Sequence, residues 1–202
     1  MSPSSPPLSS CPIVILAGGR SSRFGAPKAL AKLGDRSLLE HVVCRLAAQT
    51  SAGVVLNAAR GSFDQVYRGE YIDDALDGGL GPLSGLHAGL LWAQSNGHDA
   101  VMTAPVDTPF LPHDLAARLA QTGAPACAAS MGRRHPVVGL WPVDLLNRLT
   151  TEIENGLRAA NAWARICSAR TTDFPTTDGI DPFFNINTQA DHEKAVSLLP
   201  TS

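Results

Sequence analysis

Short unbroken apolar runs alternate with amphipathic stretches along the first 123 residues. "PIVILA" (residues 12–17) stops at Gly18-Gly19 and predicts a strand buried on both faces of a parallel sheet. "SLLEHVVCRLAAQT" (37–50) repeats Leu38, Leu39, Val42, Val43, Leu46 and Ala47 at helical spacing, with Ser37 placed as the cap. "GVVLNAA" (53–59) reads as a second buried strand and "YIDD" (71–74) as a third. "GPLSGLHAGLLWAQSNG" (81–97) opens on Gly-Pro and closes on glycine, a helix signature, with small residues for close packing on a sheet. "DAVMTAPVD" (99–107) is a strand running into a turn, and "PHDLAARLAQTG" (112–123) a helix. This alternation predicts an α/β fold with right-handed crossovers and a largely parallel sheet.

The pattern then changes. Residues 124–142 suggest two strands around a turn at Gly132, with an antiparallel pairing. Helical stretches follow over 143–154 and 156–170. Residues 173–188 are irregular and aromatic, and "TQADHEKAVSLL" ends the chain with a helix capped by Thr188 or Asp191. Neither repeats nor a low-complexity linker divide the sequence. We expect a disordered tail over 1–10, rich in Pro and Ser, and one domain over 11–202. The change of pattern divides it into a first half of about 12–123 and a second of about 124–202.

Composition narrows the function classes. With 202 residues, 17% charged positions and a net charge of -2, the chain lacks the basic excess of nucleic-acid or membrane-surface binders. Any anion site must be local. Cys11, Cys44, Cys127 and Cys167 are scattered and form no metal-ligand spacing, which fits reduced thiols and a cytoplasmic location. The start has no signal-peptide pattern, and no apolar run is long enough for a membrane helix.

The first strand ends in "AGGRSSRFGAPK", where glycine backbone and Arg20, Arg23 and Lys28 come together. Glycines let amides approach phosphate oxygens and the cations neutralise them; an ordinary turn with solvated charges fits the same residues. Two phosphate motifs fail here. Arg23 or Phe24 stands where a P-loop needs its second glycine, and Arg20 where the dinucleotide fingerprint needs one. Asp107, just past a buried strand, is either a turn residue bonding amides or a ligand for a hard cation.

A different pattern does fit. "LAGGRSSRFGAPK" resembles L-A-[GA]-G-x-x-x-R-[MF]-G-x-x-K, the signature of nucleotidyltransferases of the nucleotide-diphospho-sugar transferase fold. "DGGLGPLSGLHAGL", "APVDTPFLPHDL", "RRHPVVGLWP" and "PFFNINTQAD" follow in the order and spacing of its molybdenum cofactor guanylyltransferase (MobA) branch. The chain is thus similar to that family from residue 13 to about residue 195. Val106 departs from it, because relatives often carry cysteine there.

The resemblance implies a three-layer, Rossmann-like, mostly parallel sheet with helices on both faces and a small antiparallel part in the C-terminal half. It implies an enzyme that joins the GMP part of GTP to the phosphate of molybdopterin, using Mg²⁺ and releasing pyrophosphate. By motif, Leu16, Ala17 and Gly18 would meet guanine or ribose, and Gly19 and the following loop the phosphates. Arg23 and Lys28 would hold the triphosphate, and Asp107 the metal. Asn57 and Asp74 would contact the nucleotide, although Asp73 and Asp77 compete with Asp74. Asn185 and Asn187 would meet the pterin, or else cap the last helix. Arg133, Arg134 and His135 either meet the acceptor phosphate or form a solvated hairpin tip, and His87 reads as packing. The acceptor phosphate itself would be the nucleophile, in an in-line displacement. An upstream molybdenum-insertion protein and molybdoenzyme chaperones are the implied partners of a monomer or weak oligomer. A cytidylyltransferase for the same cofactor, a sugar-1-phosphate nucleotidyltransferase and a non-catalytic nucleotide-binding protein are the alternatives.

Overall fold

A computed structural model describes residues 10–18, 27–76 and 81–199. Gly19, Arg20, Arg23, Asp77 and nearly all of the expected N-terminal tail lie outside these residues.

The apolar runs form the strands expected of them. β1 is Ile13–Leu16, β4 Val54–Asn57, β5 Glu70–Ile72 and β6 Ala100–Pro105. Between them lie β2 (Lys32–Leu33), β3 (Arg36–Ser37), α1 (Leu38–Ala47) and α2 (Pro82–Ser95). The second half holds α3 (Leu115–Thr122), β7 (Ala126–Ser130), β8 (Arg133–Pro142), α4 (Leu146–Glu154), α5 (Ala160–Ile166), β9 (Arg170–Asp173) and α6 (Gln189–Ser197).

Among the described residues, the main sheet has the order β5-β4-β1-β6-β8-β7-β9. Only β8 runs antiparallel to its neighbours, β6 and β7, and a bulge between Cys127 and Ala128 interrupts its pairing with β7. Alternate residues of β1 serve opposite faces. Ile13 and Ile15 pack with Leu39, Val42 and Leu46 of α1 and Leu115 and Leu119 of α3. Val14 and Leu16 pack with Leu86 and Leu90 of α2, and this face continues to Leu149 of α4 and Trp163 of α5. A fully apolar β1 is what burial on both faces demands. No helix of the described residues is long and apolar enough to cross a membrane.

Helix ends follow local chemistry. Ser37 Oγ accepts the Glu40 amide while the Glu40 carboxylate takes the Ser37 amide, a complete capping box, and Thr188 with Asp191 repeats it on α6. The two candidates for the α6 cap therefore act together. Replacing Ser37 by alanine should lower the unfolding free energy by about 1 kcal/mol in chemical denaturation, with an unchanged denaturant slope.

Two stretches differ from the pattern reading. The helix expected over 156–170 covers only α5, because Ser168 turns the chain at φ 53° and residues from Arg170 pair with β7 as the edge strand β9. The β2–β3 hairpin went unread because its strands have two residues each, too short to show a period. It matters here, since α6 packs on it through Leu33, Leu38, Ile186 and Ala195.

β1 pairs with β4 on one side and β6 on the other, with Leu16 opposite Asn57 and Pro105. The chain order reverses across this point, so the crevice beyond the carboxyl ends of β1 and β6 is where open α/β sheets bind ligands.

Candidate active site

Asn57 ends β4, and Gly18, Asp74 and Asp107 follow the carboxyl ends of β1, β5 and β6, so all four share one edge of the sheet. The Ala17 amide donates to Asn57 O at 3.1 Å and the Val106 amide to Leu16 O at 3.1 Å, which ties the loop after β1 to both neighbours.

Lys28 lies on a single 3-10 turn, Lys28–Leu30, held by Leu30 N to Pro27 O. Its Nζ donates to Asp107 Oδ2 at 2.7 Å and to Asn187 Oδ1 at 2.7 Å. The Lys28 and Asp107 side chains are only 13% and 18% exposed, so this ion pair is poorly screened. The Ile186 amide donates to Asp107 O at 3.0 Å, seating the 185–187 segment against the end of β6. Two side chains distant in sequence, Asp107 and Asn187, thus meet on the Lys28 ammonium.

Asp107 has one oxygen in use. Its Oδ1 is buried and has no hydrogen-bond partner among the described residues. A buried, bare carboxylate oxygen is costly unless something positive meets it. The described residues contain no group of three His, Cys, Asp or Glu side chains that could hold a metal. Mg²⁺ needs no such cage, because it takes one or two carboxylates and completes its shell with water and phosphate oxygens. Asp107 fits that requirement.

On the other side of β1, buried Asn57 donates from Nδ2 to Asp74 Oδ1 at 3.0 Å and to Ile72 O at 3.3 Å. Ser84 Oγ donates to the second Asp74 oxygen at 3.0 Å. Asp74 is therefore fixed by two donors; Asp73 has no such contact among the described residues. Ser84 escaped the sequence reading; its only signal was its place in the first turn of α2, behind Gly81 at φ 63°. Gly85 lets α2 close onto this group, since a Cβ there would fall 2.4 Å from Asn57 Oδ1 and 2.8 Å from Leu16 Cδ2.

The carboxyl-terminal candidates divide. Asn187 joins Lys28 through its side chain, while its main-chain N–H donates to Asp191 Oδ2 at 3.0 Å at the start of α6. The Thr188 hydroxyl and the Asn187 amide hold the Asp191 carboxyl below the usual range, with help from Lys28. Asn185 is exposed. Arg134, though exposed, is committed to Thr171 Oγ1 and Ala169 O, His135 lies half-buried against Phe183, and Arg133 is exposed. His87 is a packing residue. It is buried, contacts Thr150 Oγ1 at 3.0 Å between α2 and α4, and burial pushes its pKa down.

Curated relatives resemble the chain over nearly its whole length. A molybdenum cofactor guanylyltransferase of Acidiphilium cryptum is 42% identical over 185 residues, spanning 90% of this chain and 92% of the relative. One from Rhizobium meliloti is 41% identical over 201 residues, spanning 94% and 92%. Among solved structures, molybdopterin-guanine dinucleotide biosynthesis protein A of Archaeoglobus fulgidus superposes with a TM-score of 0.71 at 20% identity, covering 93% of this chain and 97% of that one. At that identity the likeness is one of fold. Residues 13–168 match the MobA-like NTP transferase domain, and with most of its sequence inside that match the chain belongs to the MobA-like NTP transferase family.

Proposed function

We propose that this protein transfers GMP from GTP to the phosphate of molybdopterin, forming molybdopterin guanine dinucleotide and pyrophosphate. The observation that carries this reading is the Lys28 ammonium shared by Asp107 and Asn187, with Asp107 Oδ1 buried beside it and unpartnered among the described residues. One point then faces both a nucleotide phosphate and an acceptor. The curated relatives named molybdenum cofactor guanylyltransferase support the choice of substrates.

In this reading, backbone groups of Leu16, Ala17 and Gly18 receive the guanosine, and Asn57 supports Asp74 beside it. A carboxylate held by two protein donors keeps lone pairs for the N1–H and N2–H₂ edge of guanine, a basis for base choice. Gly19 and Arg23 belong to the phosphate loop. Lys28 has three ammonium donors and gives two to Asp107 and Asn187, so one remains for a phosphate oxygen. Asp107 would hold Mg²⁺, which when bound supplies charge neutralisation at the triphosphate. Asn185 and Asn187 present amides to the pterin, whose edge mixes donors and acceptors. Transfer needs alignment and charge compensation more than covalent help from the protein, so direct attack by the acceptor phosphate on the α-phosphorus suffices.

Pyrophosphate release is the test. With Mg²⁺ and molybdopterin, GTP should support release at least about tenfold faster than CTP or UTP, which is 1.4 kcal/mol of discrimination or more. Release with CTP and not GTP reassigns the chain to cytidylyl transfer, and absence of release with all three nucleotides refutes the reading.

A further inference from the structure

A second polar cluster stands apart from Lys28 and Asp107, and the proposed reaction leaves it without a task. Ser130, fully buried at the end of β7, has its Oγ 2.8 Å from His135 Nε2 and 2.7 Å from Asp181 Oδ1. The same carboxylate oxygen accepts the Phe183 amide at 3.0 Å. His135 lies on the Phe183 ring at 4.7 Å, and Phe183 meets Phe174 edge-on at 5.3 Å. A carboxylate only accepts, so the single hydroxyl proton of Ser130 goes to Asp181 and His135 donates its Nε2–H to Ser130. This is no nucleophilic triad. The hydroxyl sits between the imidazole and the carboxylate, and no substrate can reach it.

What the cluster does follows from where the chain goes next. Asp181 begins the segment that ends at Asn187, and that segment is fastened again at its far end. There the Ile186 amide holds Asp107 O and Asn187 Oδ1 accepts from Lys28. Exposed Asn185 lies between the two fastenings. Without the first, residues 183–185 would keep their polar fastening at the Asp107 end and only ring packing, by Phe183 and Phe184, at the other.

We propose that Ser130, His135 and Asp181 are positioning residues for the acceptor: they lock the 181–187 segment to the β7–β8 hairpin and so fix where Asn185 and Asn187 present their amides. The effect falls on the acceptor, because the proposed guanosine contacts stand at the ends of β1, β4 and β5, and Lys28 and Asp107 keep their own ion pair when the far end of the segment loosens. This inference rests on the guanylyl-transfer reading.

The experiment compares Ser130→Ala, His135→Ala and His135→Gln in the full chain. Glutamine can return an N–H to the position of Nε2. For each, KM for molybdopterin and for GTP are measured separately, together with hydrogen exchange of the Phe183 and Ile186 amides. The expected result is a rise of about tenfold in KM for molybdopterin with KM for GTP within about twofold. Phe183 and Ile186 exchange faster in both alanine variants, and the glutamine variant recovers most of both losses. Equal rises in the two KM values, or faster exchange with an unchanged molybdopterin KM, overturn the proposal. If the unmodified protein releases no pyrophosphate, the guanylyl-transfer reading fails by itself. Exchange then decides on the lock, since unchanged protection at Phe183 and Ile186 in His135→Ala refutes it. Should both alanine variants fail to fold, His135→Gln serves alone, and loss of Phe183 protection without a change in molybdopterin KM refutes the proposal.

Discussion

Asp107→Ala loses nucleotidyl transfer by at least about 10³-fold while its unfolding free energy stays within about 1 kcal/mol of the parent. Both halves of this expectation come from the same side chain. Oδ2 orients the Lys28 ammonium, and Oδ1 is buried with no partner among the described residues. Alanine removes the anchor for Lys28 and the only carboxylate proposed to hold the metal. It also removes the desolvation cost of a bare oxygen, which offsets the lost ion pair. The contact that seats the 185–187 segment survives, because the Ile186 amide bonds the main-chain oxygen of residue 107, not its side chain. Asp107→Asn should lose activity almost as fully, since it keeps the shape and gives up the charge. Steady-state pyrophosphate release and a urea titration check the two halves. Turnover within tenfold of the parent ends the proposed role of Asp107, and collapse of stability makes the residue structural.

The long apolar strands were legible because burial on two faces leaves no room for polar positions, as in Ile13–Leu16 and Ala100–Pro105. β9 was not legible. An edge strand reading Arg-Thr-Thr-Asp has one face and one edge in water, and its pairing with β7 is set by tertiary order, not by its own pattern. The candidate site divides in the same way. Lys28, Asp107 and Asn187 could be nominated one by one from motifs. Their meeting on one ammonium could not, because it depends on a sheet order that puts β6 beside β1 and on α6 docking against the β2–β3 hairpin. Three aspartates competed in the sequence for one nucleotide contact. Donors from Asn57 and Ser84 favour Asp74, and neither donor is near it in sequence. His135 showed only its helpers-in-waiting, two arginines, whereas its actual partners Ser130 and Asp181 come from either side of it in the chain.

Gly85→Ala weakens GTP binding by about 10- to 100-fold and lowers the unfolding free energy by about 1–2 kcal/mol, although alanine is the better helix former. Propensity alone would stabilise α2 by roughly 1 kcal/mol. Space decides otherwise. The new Cβ would lie 2.4 Å from Asn57 Oδ1, 3.1 Å from Asn57 Cγ and 2.8 Å from Leu16 Cδ2. Neither neighbour yields freely, because Leu16 is in the core and Asn57 is tied by Nδ2 to Asp74 and to Ile72 O. Relief requires either moving α2 off the sheet or turning Asn57 away, at an overpacking cost of about 1–3 kcal/mol. Each route unlatches Asp74 from one of its two donors, so the nucleotide side suffers more than the fold. Gly89, one turn further along α2, is the internal control. A Cβ there meets Val14 Cγ2 at 3.2 Å, a contact that small adjustments relieve and that touches nothing in the site. Titration calorimetry with GTP should therefore separate two alanines on one helix: Gly85→Ala with weakened affinity, Gly89→Ala with the parent's. Equal affinities in both would end the proposed nucleotide role of Asn57 and Asp74.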